Sequence, residues 1–185
     1  MTGTAQGFTP PRKEPVGIGG WLILPIIGFI GTLGLTIFNL SGLFKELDGF
    51  IAIFSATSGQ LAEMRLPVAL SMLGGVAVIL SAGACLVFIF QKKPIIVKAA
   101  TAHYLILVAA SLIELWGDAR FREILPDEPV DPKVARDTVR VFMTALIWIP
   151  YFHVSKRVKN TFRNPVVGHN ESASAMRPAP LDANS

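Results

Sequence analysis

The sequence predicts an all-α protein, a four-helix transmembrane bundle, on three observations. Apolar side chains make up 51% of the 185 residues and charged side chains only 16%, against roughly 25% charged residues in soluble proteins. The mean hydropathy is +0.51. The apolar residues are concentrated in four runs that polar segments separate. These features exclude a disordered chain, a disulfide-stabilised secreted module and a large two-lobed soluble enzyme.

The first two runs are long enough to cross a bilayer. They cover residues 19–44 and 67–90, and neither contains a charged side chain. A helix rises about 1.5 Å per residue, so roughly 20 residues cross a hydrocarbon core about 30 Å thick. Pro67 begins the second run, where a missing backbone N–H costs nothing. Pro25 lies inside the first run and is expected to kink that helix.

The last two runs are interrupted or short. Residues 95–117 form the third and include Lys98, His103 and Glu114, although the middle of the run is apolar. Residues 138–156 form the fourth, with Arg140 near one interface and Pro150 expected to kink the helix. A soluble hairpin of buried helices is the alternative for these two runs. The two uninterrupted runs favour lipid, because a spanning segment must satisfy its own backbone polar groups.

The four runs define a transmembrane domain over residues 17–163, flanked by tails. Residues 1–16 and 164–185 are polar and rich in proline, and we expect both tails to be disordered. Four spans place the two termini on the same side of the membrane. The turn Gln91–Pro94 between the second and third runs is short and purely basic, which places that side in the cytoplasm. The predicted linkers on the other side are longer, and residues 118–137 are expected to hold a short helix at each end.

The positive charge of the chain indicates a lipid partner. Lys and Arg outnumber Asp and Glu by 17 to 13, for a net charge of +4. The basic residues adjoin the apolar runs, so anionic head groups at the cytoplasmic face are the expected partner, and no nucleic-acid partner is expected. The lone cysteine, Cys85, lies inside an apolar run and is interpreted as a packing residue.

Ionisable side chains inside a membrane are costly, so His103, Glu114 and Arg140 are candidate functional residues. His103 and Glu114 are eleven residues apart, which places them on one helix face at about 100° per residue. In one interpretation, the two residues each bind a proton or an ion along a path through the protein. In the favoured alternative, Glu114 forms an ion pair with Arg140 near the outer surface, and His103 hydrogen-bonds a neighbour inside the bundle.

Small residues predict close helix packing. Glycines recur at every third position in the first run, and small residues recur at every fourth position in the second. Such stripes let helix backbones approach one another in lipid. The residues concerned are Gly28, Gly31 and Gly34 in the first run and Ser71, Gly75, Ala77, Ser81 and Cys85 in the second.

No catalytic, cofactor-binding or metal-binding residues are predicted. The three histidines, His103, His153 and His169, do not have the spacing of zinc ligands. Recognisable motifs for nucleophilic or phosphate chemistry are lacking in the sequence. We therefore expect a protein that is not an enzyme and that needs no cofactor.

Two segments carry a resemblance to a known family. They are GIGGWLILPIIGFI (Gly17–Ile30) and WIPYFHVSKRVKNTF (Trp148–Phe162). Together they resemble the bacterial membrane proteins grouped as "domain of unknown function 2569", and the resemblance covers residues 17–162. His153 stands where a bulky apolar residue is usual. The resemblance implies a small four-span protein of the bacterial inner membrane and no established activity.

The terminal segment also has a physical interpretation. Trp148 and Tyr151 are expected at head-group depth, with Pro150 tilting the helix end. A basic stretch then continues along the membrane surface, where each basic side chain gains about 1 kcal/mol from an anionic leaflet. Val158 and Phe162 share the apolar face of this stretch, and its basic residues are Lys156, Arg157 and Lys159. A plain stop-transfer anchor without a partner is the alternative.

Two functional hypotheses follow. The first is a non-enzymatic accessory or scaffold protein that acts by binding a homo-oligomeric or other membrane-protein partner. The second is a small transporter or channel subunit that uses His103 and Glu114.

Overall fold

The computed structural model describes residues 20–125 and 132–162, and these two ranges contain helices and no strand. A 3₁₀ turn at each end of the first long helix covers Gly20–Leu22 and Leu43–Glu46. The expected disorder of residues 1–16 and 164–185 lies outside the described residues. In chain order, the helices are α1 (Ile23–Gly42), α2 (Leu47–Ser55), α3 (Gln60–Glu63), α4 (Arg65–Phe90), α5 (Ile96–Ile124), α6 (Pro132–Val154) and α7 (Lys156–Phe162).

Within the described residues, three helical segments are long and apolar enough to cross a membrane, which confirms the all-helical, membrane-spanning class. They are Gly20–Gly42, Gln60–Phe90 and Ile96–Ile124. At 23 residues, α6 is also long enough. However, its first half carries four charged side chains, so its apolar part is short. The fourth crossing therefore stays a prediction. The charged residues of α6 are Lys133, Arg136, Asp137 and Arg140.

The predicted linker between the third and fourth runs contains extensions of both long helices. Instead of ending near residue 117, α5 continues to Ile124, and α6 begins at Pro132. The expectation of a short separate helix at each end of this linker is therefore wrong for the described residues. Two ion pairs lie within the extension of α5, at the spacing of three or four residues at which opposite charges stabilise a helix. These pairs join Asp118 to Arg122 and Arg120 to Glu123.

Pro25 does not interrupt a helix. It is the third residue of α1, where its missing N–H would have no partner within that helix. The expected kink at Pro25 is therefore wrong, because the α-helix begins only two residues before it. Pro150 does lie inside α6, and the helix continues past it to Val154.

The long helices pack in the order α1, α4, α5, α6, with α4 and α5 in the middle. Between the antiparallel α4 and α5, contacts recur every seven residues along both helices. Such a repeat is typical of side chains that interlock as in coiled coils. The contacting positions are Pro67 with Gly117, Gly74 with Ala110, and Ser81 with His103.

The buried core lies at one end of the bundle, which we name the α7 end. It contains the start of α1, the end of α4, the start of α5, the end of α6 and α7. The opposite end, which carries α2 and α3, is named the α2 end. Large buried core side chains at the α7 end include Leu22, Phe29, Ile89, Ile96, Phe152, Val158 and Phe162.

The turn at residues 91–94 ends α4 with a lysine where glycine is usual. Lys92 has a φ of 52°, a left-handed conformation that non-glycine residues seldom adopt. The Lys92 N–H bonds to the Ile89 carbonyl at 3.0 Å and the Lys93 N–H to the Phe88 carbonyl at 3.0 Å. This pattern is a Schellman cap, and it holds both lysines at the α7 end.

Only some of the predicted small-residue faces mediate close packing. A Cβ added to Gly28, Gly31 or Gly34 would meet nothing within 4 Å. The expectation that these glycines bring helices of one chain together is therefore wrong, because no other helix in residues 20–125 and 132–162 covers that face of α1. Gly74, which is not one of the predicted positions, lies close to α5, since an added Cβ there would lie 3.3 Å from the Cβ of Ala110.

We expect Gly74→Val to destabilise the bundle by about 1–3 kcal/mol relative to Gly83→Val, since it overpacks the contact between α4 and α5. Gly83 is a matched control on the same helix, because a Cβ there would meet nothing within 4 Å. The free energy of unfolding in mixed detergent micelles measures the difference. Equal losses in the two variants would show that the helices do not approach closely at Gly74.

Candidate functional site

His103 is packed inside the bundle. Its side chain is buried on α5, and its Nδ1 shares a hydrogen bond of 2.9 Å with the hydroxyl of Ser81 on α4. That hydroxyl also donates to the carbonyl of Val78 at 3.1 Å. The structure therefore places His103 as the favoured sequence interpretation did, hydrogen-bonded to a neighbour within the protein.

Two aromatic rings pack against His103, and a third ring on α6 continues the cluster, so that it joins α1, α5 and α6 at the α7 end. The Phe29 ring lies 5.1 Å from the His103 ring, edge to face, and 6.4 Å from the Phe152 ring, measured between centroids. Tyr104 lies 5.8 Å from Phe29. We name these four residues, Phe29, His103, Tyr104 and Phe152, the aromatic cluster. Because all four are buried, the cluster fills the space between α1 and its neighbours at this level.

Glu114 has a different environment. Its side chain is exposed and contributes to the wall of a cavity of about 320 Å³. The cavity lies on one side of α4, between α1 and α5, and Phe50 of α2 also lines it. Its described lining consists of Thr36, Asn39, Leu40, Phe50, Val68, Ser71, Met72, Gly75, Glu114 and Phe121. A carboxyl group therefore faces an open, otherwise uncharged space near the α2 end.

The predicted ion pair between Glu114 and Arg140 is wrong. Both residues are described and exposed, yet they are not within ion-pair distance of each other. Asp137 lies 3.8 Å from the Arg136 guanidinium in an exposed pair, which is a weak arrangement at a surface.

The cavity includes polar residues that the sequence interpretation missed. Thr36 and Asn39 on α1 are three residues apart and therefore on one helix face, and both contribute to the wall. An amide within an apolar run was the available signal, because such a group in lipid needs a polar partner or water. Ser71 was assigned to helix packing, and it too lines the cavity.

The terminal segment packs into the protein instead of lying only on the membrane surface. Ser155 caps α7, since its hydroxyl accepts the Val158 N–H at 3.4 Å. Val158 and Phe162 do share an apolar face, as predicted, but this face is buried in the core with Leu22. Lys156 and Lys159 are exposed and Arg157 is half-buried. The position of the lysines on the membrane surface stays a prediction, whereas the expectation that the apolar face faces the membrane is wrong.

The aromatic residues of the terminal segment continue the aromatic cluster. The rings of Trp148 and Tyr151 are 5.3 Å apart, and Tyr151 lies 5.8 Å from Phe152, both edge to face. Trp148 and Tyr151 are half-buried, whereas Pro150 is exposed. These rings therefore link the terminal segment to the buried histidine.

The two distinctive sequence segments meet in space at the α7 end. Gly20 adopts a φ of +56°, and a Cβ added there would collide with the guanidinium of Arg157. The backbone before α1 thus lies against the Arg157 side chain of α7, and the left-handed conformation at Gly20 favours a residue without a side chain. His153 also has a partner, since its Nε2 shares a hydrogen bond of 3.0 Å with Thr101 on α5.

The comparisons with known proteins identify the family of the chain. A family model described as "Protein of unknown function (DUF2569)" matches residues 15–163. The chain belongs to this family. The match includes both segments that meet at the α7 end and thus confirms the resemblance. A search of curated proteins and a search of solved structures each found no match.

Proposed function

We propose that this protein of the DUF2569 family is a non-enzymatic accessory or scaffold protein of the bacterial inner membrane that acts by binding. In this proposal it is a multi-pass protein with α6 as its fourth span. The observation that carries the proposal is the burial of His103 in the aromatic cluster. A conduit along α5 would need a polar continuation from Glu114 past His103, and packed rings occupy that position.

The distribution of charge supports an orientation with both termini in the cytoplasm. Lys92 and Lys93 in the short turn lie at the α7 end, as does the basic helix α7. Clusters of basic residues beside a membrane favour the anionic cytoplasmic leaflet. We therefore propose anionic lipid head groups as one partner of the α7 end. The cavity then opens toward the opposite side.

Single cysteines can test whether the site is a cavity open from one side or part of a conduit. The natural Cys85 is buried, so it contributes little background. In Ser71→Cys, a membrane-impermeant maleimide should label the cavity from the α2 side only. In Ser81→Cys, whose position contacts His103, labelling should be absent from either side.

Two results would contradict the binding proposal. One is labelling of Ser81→Cys, which would show a water path through the aromatic cluster. The other is an unreactive Ser71→Cys, which would show that the cavity is closed to water and would remove the candidate site. The unmodified chain serves as the control for reaction at Cys85.

Binding to a second copy of the chain or to another membrane protein can be tested separately. The face of α1 with Gly28, Gly31 and Gly34 is open within one chain, and such faces pack closely against other helices in lipid. After mild detergent extraction, we expect a homo-oligomer or a stable complex by size-exclusion chromatography with light scattering. A clean monomer under all mild conditions would contradict this part of the proposal.

The second candidate function is a small transporter or channel subunit that uses His103 and Glu114, and the position of Glu114 in the cavity is the observation that favours it. Proteoliposomes containing the full chain provide the test. Ion or proton flux that falls in both Glu114→Ala and His103→Ala would favour transport. Flux equal to that of empty liposomes would favour binding alone.

A further inference from the structure

We infer that the cavity between α1, α4 and α5 binds an organic ammonium cation, with its charge at Glu114 and its apolar body against Phe50 and Phe121. This inference rests on the proposed binding function and adds the chemical class of the ligand. Three properties of the cavity lead to it: its charge, its aromatic walls and its size.

The cavity offers a carboxyl group to a cation. Glu114 is the ionisable side chain in the described part of its lining, and the structure does not pair it with Arg140. A cation bound beside Glu114 would favour its ionised form, since an opposite charge within a few ångströms stabilises a carboxylate.

The walls suit an organic cation with an apolar body. Phe50 and Phe121 line the cavity together with aliphatic side chains of α1 and α4. The faces of aromatic rings attract ammonium groups, quaternary ones included. The hydroxyl of Thr36 and the amide of Asn39 offer hydrogen-bond acceptors on the α1 side.

The size of the cavity also favours a small molecule over a bare metal ion. Its volume of about 320 Å³ lies at the lower end of the range for small-molecule sites, roughly 300–1,000 Å³. Hard metal cations usually take about six or more oxygen ligands. One carboxylate and a few uncharged polar groups make a poor set for such an ion, whereas they suffice for a single ammonium group.

The test uses the full chain in lipid nanodiscs, with Ser71→Cys as a reporter in the cavity wall. The probe is benzyltrimethylammonium, and its neutral analogue of the same shape is neopentylbenzene. We expect the cation to slow maleimide labelling at Ser71→Cys and the neutral analogue to have little effect. Glu114→Gln in the same background should weaken protection by about 10- to 100-fold, because it removes the Coulomb attraction between the carboxylate and the quaternary ammonium group.

Glu63→Gln is the matched control, because Glu63 is exposed on α3 and does not line the cavity. It should leave protection by the cation unchanged. Equal protection by neopentylbenzene, full protection in Glu114→Gln, equal protection by sodium ions, or no protection by the cation would each overturn the inference. All four results leave ligand-free labelling of Ser71→Cys unaffected, so they are distinguishable from failure of the proposed function.

Discussion

Replacing Phe29 with alanine is expected to lower the free energy of unfolding by about 3–5 kcal/mol. Phe29 is 1% exposed and contacts the rings of His103, Tyr104 and Phe152 on two other helices. Truncation would leave a cavity in the middle of the aromatic cluster and remove the contact between α1 and α6. Unfolding of the purified chain in mixed detergent micelles, followed by circular dichroism, measures the loss.

Phe38→Ala is the matched control for this prediction. Phe38 lies on the same helix and is 73% exposed, so its ring faces detergent or lipid in the folded protein. We expect its replacement to change the stability by less than about 1 kcal/mol. Similar losses in the two variants would mean that Phe29 is not buried against α5 and α6.

The second large effect is expected at Phe162. Phe162→Ala should lower the stability of the α7 contact with the bundle by about 3 kcal/mol or more, because the ring is 1% exposed in the core. Since α7 is a short terminal helix, the loss should appear as local detachment before global unfolding. Trypsin, which cleaves after Lys156, Arg157 and Lys159, reports this detachment as faster cleavage in detergent.

Val154→Ala serves as the control for the proteolysis experiment, since Val154 adjoins α7 in the chain and is 72% exposed. Its cleavage rate should equal that of the unmodified chain. If Phe162→Ala were also cleaved at the unmodified rate, α7 would not depend on the core. That result would favour the surface-lying segment that the sequence alone predicts.

The first two spans could be predicted from the sequence, because their apolar runs and their helices begin and end at nearly the same residues. The predicted limits 19–44 and 67–90 compare with Ile23–Gly42, preceded by a 3₁₀ turn, and Arg65–Phe90. The limits of α5 and α6 could not be predicted equally well. Beyond its predicted end at residue 117, α5 continues to Ile124 through a mostly polar stretch that contains two ion pairs. Because this stretch is not an apolar run, the hydropathy pattern does not predict it.

The different environments of His103 and Glu114 could not be predicted from α5 alone. Periodicity places both on one helix face, whereas the position of α1 decides what that face meets at each level. Phe29 covers His103 at the α7 end, and a cavity with Asn39 in its wall remains at Glu114. The helical period likewise placed Val158 and Phe162 on one face of α7. It could not show whether that face packs against lipid or against the rest of the protein.

The central claim is that α6 crosses the membrane and returns the chain to the side of the Gln91–Pro94 turn. Impermeant maleimide labelling of intact cells tests it most directly at three exposed positions, Asp48, Lys92 and Lys159. The four-span bundle predicts that Asp48→Cys is labelled in intact cells, and that Lys92→Cys and Lys159→Cys are labelled only after permeabilisation. Labelling of Lys159→Cys from the same side as Asp48→Cys would contradict it.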